Sequence, residues 1–132
     1  MSARILIAED EESILTSLEF LMRRSGFETR VARDGELAVG ALHEFRPDLV
    51  LLDIMLPGRS GFEVCRAIRA DPQLRATRVL MLTAKGGAGE ISKAMAAGAD
   101  DYMTKPFGTH ELVARARALL EAPRPSAIAP SS

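Results

Sequence analysis

The sequence predicts an α/β fold in which a parallel five-stranded sheet is covered by helices on both faces. Short apolar runs alternate with longer segments of helical periodicity, which gives five βα units in a row. Right-handed crossovers between such units produce a parallel sheet with helices on both sides. Two of the runs, DLVLL and RVLMLT, are continuously apolar, as expected of central strands that are buried on both faces.

The strands are predicted from the apolar runs. They cover Arg4–Ala8, Glu28–Ala32, Asp48–Leu52, Arg78–Thr83 and Asp101–Thr104. The second run, ETRVA, has less apolar content than the others, which favours a position at the edge of the sheet.

The first three helices are predicted from apolar stripes and end signals. The first stripe consists of Ile14, Leu15, Leu18, Leu21 and Met22, and the second of Leu37, Ala38, Ala41, Leu42 and Phe45. The second helix should end before Pro47, which cannot continue it. Ser60 and Glu63 have the spacing of a capping box, and the third helix that they begin should end near Asp71.

The last two helices differ in how their starts are specified. The fourth is predicted from about Gly89 to Ala97, with Gly98 as the residue that ends it, and the fifth from about Thr109 to Glu121. The loop KGGAGE after Thr83 contains three glycines, which raise the entropic cost of ordering a helix start. We therefore expect this segment to be mobile and the fourth helix to begin late.

Composition predicts one folded domain over residues 1–121, followed by a tail over residues 122–132. The tail is rich in proline, serine and alanine, so we expect it to be disordered. The net charge of −1 gives no basic surplus for direct binding to nucleic acid, and the first apolar run is too short to cross a membrane. Cys65 is the only cysteine, which excludes an intramolecular disulfide and favours the cytoplasm.

Residues with related chemistry stand at the ends of four predicted strands. Glu9 and Asp10 follow the first strand and Asp53 follows the third. The fourth strand ends in Thr83, and Lys105 follows the fifth. Because the carboxyl ends of parallel strands face one crevice, these residues are expected to meet there. Three acids, a hydroxyl and a lysine are the components of a metal-assisted phosphoryl site.

The expected chemistry follows from charge. Three carboxylates held together repel one another, and a hard divalent cation such as Mg²⁺ or Mn²⁺ relieves that repulsion. Metal coordination and in-line geometry would let Asp53 accept a phosphoryl group. Lys105 would pair with the phosphoryl oxygens, and Thr83 would donate a hydrogen bond to one of them.

Each of these residues also has a simpler structural interpretation. The acids of EDEE suit a helix start, and Asp53 could begin the turn before Pro57 and Gly58. Thr83 is a common strand residue, and a lysine before a proline is common in loops. The required residue types nevertheless occur at four separate strand ends, and this coincidence favours the functional interpretation.

Four segments resemble the receiver domain of two-component response regulators, over about residues 3–121. They are ILIAEDEE, LVLLDIMLPGRSGFEVCRAIR, MLTAK and AGADDYMTKPFGTHELVARARALL. The resemblance implies a flavodoxin-like doubly wound sheet with strand order 2-1-3-4-5. It also implies phosphorylation by a sensor histidine kinase or a phosphotransfer protein.

The resemblance implies a role for each matching residue at the site. Asp53 corresponds to the phosphoacceptor, and Glu9 and Asp10 correspond to the acid pair that binds the metal. Met55 stands where the family provides a backbone carbonyl to the metal. Lys105 corresponds to the lysine that binds the phosphoryl group.

Three further positions match residues involved in switching or backbone geometry. Thr83 corresponds to the switch hydroxyl and Tyr102 to the switch aromatic, which fills the space that Thr83 vacates on phosphorylation. Pro106 corresponds to a proline whose preceding peptide bond, here from Lys105, is cis.

The C-terminal block most resembles receivers attached to winged-helix DNA-binding domains. In that subfamily, charged residues on this surface pair across a two-fold dimer. The corresponding candidates are Asp101, Glu111, Arg115 and Arg117. Ile91 stands where a basic partner for Glu111 is expected, with Lys93 as the nearest substitute.

Two other function classes remain open at this point. A phosphatase of the haloacid dehalogenase type also forms an aspartyl phosphate, but it needs a second aspartate two residues after the first, where this chain has Met55. A degenerate receiver would act only as an interaction module, and the complete set of acids, hydroxyl and lysine argues against it.

Overall fold

The computed structural model describes residues 2–84 and 87–122, and these contain one five-stranded sheet. The strands are β1 (Arg4–Ala8), β2 (Glu28–Ala32), β3 (Leu49–Asp53), β4 (Arg78–Thr83) and β5 (Asp101–Thr104). The helices are α1 (Glu12–Arg24), α2 (Gly35–Phe45), α3 (Gly61–Ala70), α4 (Ala88–Ala97) and α5 (Thr109–Glu121).

The sheet has the predicted topology. Its order is β2-β1-β3-β4-β5, and every neighbouring pair is parallel. The polar strand β2 lies at one edge, and β3 and β4, whose residues are all buried, lie inside. The predicted fold class and strand order are therefore confirmed.

Alternate residues along the central strands face two separate apolar layers. Leu6, Val50 and Met81 pack in the layer that α2, α3 and α4 cover. Ile7 and Leu51, which are paired across β1 and β3, point into the layer that α1 and α5 cover. Because both faces of the sheet are buried, polar side chains at its carboxyl edge are held on a rigid frame.

The structure differs slightly from the predicted element boundaries. Strand β3 begins and ends one residue later than predicted, so that Asp53 is its last residue and pairs with Leu82. Helix α4 begins at Ala88 after Gly87, one residue before the predicted start. The expected mobility of the loop at residues 85–90 stays a prediction, and its first two residues lie outside the described residues, as does the tail after Ala122 that is expected to be disordered.

Side-chain and backbone signals at the helix ends agree with the sequence. Ser60 and Glu63 form the predicted capping box at the start of α3, and α2 ends at Phe45, before the proline. Gly98 ends α4 with a φ of 107°, a left-handed conformation that glycine adopts without steric cost. Across residues 2–84 and 87–122, the helices are too short or too polar to span a membrane.

Candidate functional site

The carboxyl edge of the sheet brings the predicted acids together. Glu9 and Asp53 are almost completely buried, at 1% and 4% exposure, whereas Asp10 is exposed. Each of the three acids has a carboxylate oxygen within 4.8 Å of the corresponding atoms of the other two. The cluster thus combines two buried acids with one that is open to solvent.

Lys105 lies beside the two buried acids. Its Nζ is 2.8 Å from Oε1 of Glu9 and 3.3 Å from Oδ1 of Asp53. Burial by itself would lower the pKa of Lys105, but its hydrogen bond with Glu9 and the charge of Asp53 outweigh that effect and raise the pKa. The lysine therefore stays charged near neutral pH and partly compensates the buried acids.

The ionised carboxylate of Asp53 remains electrostatically unfavourable despite this lysine. Burial raises the pKa of the Asp53 carboxyl, and the nearby charge of Glu9 raises it further, while Lys105 acts in the opposite direction. A divalent cation would stabilise the ionised form, since carboxylate oxygens are ligands that hard cations prefer. The donor set and its charge repulsion therefore fit a metal such as Mg²⁺.

Two backbone features position Asp53. The amide of Met55 donates to its Oδ1 at 3.3 Å, and the Met55 side chain points outward and is exposed. Gly61, the first residue of α3, lies against the strand end, where an added Cβ would be 2.4 Å from the Asp53 carbonyl oxygen. Only glycine permits α3 to begin this close to Asp53.

Thr83 has a hydrogen bond that was not predicted from the sequence. This threonine is 2% exposed, and its hydroxyl donates to Oε1 of Glu90 at 2.7 Å. Glu90 lies in the first turn of α4, seven residues after Thr83. Its position in the sequence fits ordinary helix-dipole stabilisation, so no local pattern identified it as a partner of the hydroxyl.

The remaining residues named for switching lie near the end of β5. Tyr102 is half-buried and packs against the apolar layer on the side of α2, α3 and α4. The peptide bond between Lys105 and Pro106 is cis.

Three of the four candidate dimer residues form an ion-pair cluster within this chain. Arg115 lies 3.1 Å from Asp101 and 2.9 Å from Glu111, and it also donates to the carbonyl of Tyr102. Arg117 instead contacts the carbonyl of Ser25 and lies over the ring of Phe27. Arg115 and Arg117, two residues apart on α5, therefore contact different neighbours within the chain.

Comparison with known proteins identifies the family. A family model described as the response regulator receiver domain matches residues 5–117. The DNA-binding response regulator MtrA of Mycolicibacterium smegmatis and that of Mycobacterium tuberculosis are each 48% identical to this chain over 120 residues. These alignments cover 91% of this chain and 51% of each relative. The chain thus spans about half the length of the curated relatives it matches.

Solved structures share the fold over nearly the whole chain. Chemotaxis protein CheY4 of Vibrio cholerae gives a TM-score of 0.86 at 28% identity, covering 90% of this chain and 99% of that one. A second structure is the receiver domain of the sensor histidine kinase PA1611 from Pseudomonas aeruginosa, solved with a magnesium ion in its active-site cleft. It gives a TM-score of 0.86 at 30% identity, covering 92% of this chain and 100% of that one. On both sequence and structure, this chain belongs to the response regulator receiver domains.

Proposed function

We propose that this domain is a signalling switch operated by phosphorylation of Asp53. One observation carries the proposal: three carboxylates from the ends of β1 and β3 meet within 4.8 Å, and Lys105 Nζ lies within 3.3 Å of both buried ones. A purely structural acid cluster would gain nothing from burying Glu9 and Asp53 together, since the charge of Glu9 raises the cost of ionising Asp53.

The metal site is proposed from the same cluster. Glu9, Asp10 and Asp53 would hold Mg²⁺ or Mn²⁺ together with the backbone carbonyl of Met55. When bound, the cation would neutralise acid repulsion and the charge that develops on the transferring phosphoryl group. The exposed position of Asp10 leaves one side of the cluster open to solvent for an entering ion.

The residues of the chain would divide the remaining work of phosphoryl transfer. A carboxylate oxygen of Asp53 attacks phosphorus in a phosphohistidine, a P–O bond forms, and the P–N bond to the leaving imidazole breaks. Lys105 pairs with the phosphoryl oxygens, and the hydroxyl of Thr83 donates to one of them. Hydrolysis reverses the state when water attacks phosphorus and the carboxylate of Asp53 leaves.

The donor and the output are proposed at the level of protein class. The phosphodonor would be a sensor histidine kinase or a phosphotransfer protein in the cytoplasm, where the lone Cys65 stays reduced. Phosphorylation would move Thr83 and Tyr102 and alter the surface formed by α4, β5 and α5. Since the matched relatives are DNA-binding regulators of about twice this length, the output would be transcriptional and would require a second domain.

We also propose that the phosphorylated domain forms a homodimer through Asp101, Glu111 and Arg115. These charges pair within one chain, so dimerisation would exchange existing ion pairs for pairs across the two-fold axis. Sedimentation of the phosphorylated protein should show a dimer that Arg115→Ala weakens, whereas Arg117→Ala, on another face of α5, should leave the dimer intact.

The proposed function is tested by incubation with Mg²⁺ and acetyl phosphate. The wild-type protein should gain the mass of one phosphoryl group, stable in acid and labile in alkali, and Asp53→Asn should gain none. An undiminished gain in Asp53→Asn would contradict the assignment of the site. No gain in either protein would favour an interaction module, and turnover of a phosphomonoester would favour a phosphatase.

A further inference from the structure

The first turn of α4 is tied to the sheet through the side chain of Glu90. An added Cβ at Gly87 or Gly89 would meet nothing within 4 Å, so this turn has open space around it. The buried residues of the helix, Ala94 and Ala97, lie in its second half. The hydrogen bond from Thr83 to Glu90 therefore connects a loosely packed turn to the end of β4.

The other end of α4 is anchored in a different way. The guanidinium of Arg69 in α3 donates to the carbonyl oxygen of Gly98 at 2.8 Å and to the carboxylate of Asp100 at 2.8 Å. Asp100 also accepts from the backbone amide of Val79 at 2.8 Å. This anchor contains no group from the acidic cluster or from the strand ends that carry the cluster. A change at Asp53 can therefore release the start of α4 while the end of α4 stays fixed.

We propose that Glu90 is a positioning residue that holds Thr83 away from the phosphoryl group until Asp53 is modified. The proposal rests on the proposed function of Asp53. The Thr83 hydroxyl carries one proton, so it cannot donate fully to Glu90 and to a phosphoryl oxygen at once. A carboxylate and a phosphoryl group also repel each other. Phosphorylation thus breaks this bond, and the first turn of α4 loses the contact of Glu90 with the end of β4.

The contact is tested first in the unmodified protein without added metal, by amide hydrogen exchange. Ile91 donates the first backbone bond of α4, to Gly87, and reports on this turn. Glu90→Ala removes a hydrogen bond to a partly exposed charged group, so exchange at the Ile91 amide should rise about tenfold. Exchange at Gly98 should not change, and Ser92→Ala, an exposed site on the same helix, is the matched control.

A second background separates the hydrogen bond from other effects of the carboxylate. Thr83→Val removes the hydroxyl with little change in shape and should raise exchange at Ile91 by a similar factor. If Glu90 acts through this bond, adding Glu90→Ala to Thr83→Val should not raise exchange at Ile91 any further. If Glu90 instead acts by stabilising the helix dipole, its loss should raise exchange equally in the wild type and in Thr83→Val. Glu90→Gln, which keeps an acceptor oxygen, should restore part of the protection.

The switching role is tested with beryllofluoride and Mg²⁺, a non-covalent substitute for the phosphoryl group. A bond present only in the unmodified state opposes binding, so Glu90→Ala should bind beryllofluoride more tightly by about the factor seen in exchange. In Thr83→Val, adding Glu90→Ala should give no such gain.

The two tests fail in different ways. Equal exchange at Ile91 in Glu90→Ala and Ser92→Ala would overturn the role of Glu90, whether or not Asp53 is phosphorylated. Unchanged or weaker binding of beryllofluoride to Glu90→Ala would overturn the switching role. If the wild-type protein bound no beryllofluoride while Glu90→Ala still loosened Ile91, the contact would be supported and the proposed function contradicted.

Discussion

At the scale of single residues, the site is defined by the conflict between burial and charge. Glu9 and Asp53 are nearly inaccessible to solvent and carry like charges, and Lys105 contacts both. One lysine cannot neutralise two buried carboxylates and an exposed third. The domain therefore keeps an unfavourable arrangement that a bound cation would relieve, as expected of a site in which stability is lowered for function.

This conflict predicts that Asp53→Asn stabilises the metal-free protein. Burial and Glu9 raise the pKa of Asp53, so at neutral pH the ionised carboxylate destabilises the folded state. Removing the charge should increase the free energy of unfolding by about 1 kcal/mol, measured by urea denaturation with a chelator present. Saturating Mg²⁺ should reduce the difference by stabilising the wild-type protein. A variant less stable than the wild type in chelator would contradict this account.

Residue types at the site could be predicted, but their contacts could not. The order of strands places Glu9, Asp53 and Lys105 at one edge because parallel strands end together. Which oxygen the lysine contacts, and that Thr83 donates to Glu90, depend on side-chain rotamers and on the course of α4. Local sequence does not specify either of these.

At the scale of helices and strands, polar side-chain contacts join the carboxyl-terminal ends of neighbouring helices. His43 in α2 contacts Asp71, which directly follows α3, at 2.9 Å through Nε2, and its Nδ1 lies 3.1 Å from the carbonyl oxygen of Val39. Strand boundaries were predictable to one residue, as β3 illustrates. The start of α4 was predicted to within one residue as well, although its glycines give no periodic signal.

The pair between His43 and Asp71 predicts a pH-dependent link between these elements. The hydrogen bond with Asp71 raises the pKa of His43, and the bond with His43 lowers the pKa of Asp71. The histidine's contribution is complete below its usual pKa of about 6.5 and is lost as pH rises through the folded value. The aspartate's contribution is complete above about 4 and is lost as pH falls.

Urea denaturation of the wild type and His43→Gln should therefore differ most between about pH 4 and pH 6.5. The difference should shrink as pH rises above that range. Asp71→Asn should show the same profile, and combining both changes should add little to either one. A difference that grows steadily up to pH 9 would contradict the pairing.

At the scale of the whole molecule, the two apolar layers account for the folded unit. Every residue of both buried clusters lies between Ile5 and Ala116. Arg78, buried at the start of β4, donates to the carbonyl oxygens of Leu119 and Ala122, which fixes the end of α5 to the sheet. The alternation of short apolar runs with helical stripes made this architecture predictable, whereas the contact from Arg78 to the end of α5 joins residues more than forty positions apart.

This arrangement predicts where the chain can be shortened. Ending it after Ala122 should change the free energy of unfolding by less than about 0.5 kcal/mol, because both layers and the contacts of Arg78 remain. Ending it after Ala118 should cost about 2 kcal/mol or more, since the buried guanidinium loses its acceptors and Leu119 and Leu120 no longer pack against the layer of α1 and α5. Thermal and urea unfolding of the two shortened chains provide the comparison, and equal stability of both would contradict the role of Arg78.

Chemical trapping tests directly whether Asp53 accepts the phosphoryl group. Borohydride reduces an acyl phosphate to an alcohol, so a phosphorylated aspartate becomes homoserine, which peptide mass spectrometry locates. After incubation with Mg²⁺ and acetyl phosphate, we expect homoserine at position 53 and at no other acid. Homoserine at Glu9's neighbour Asp10, or no conversion at Asp53 in a protein that has gained phosphate, would contradict it.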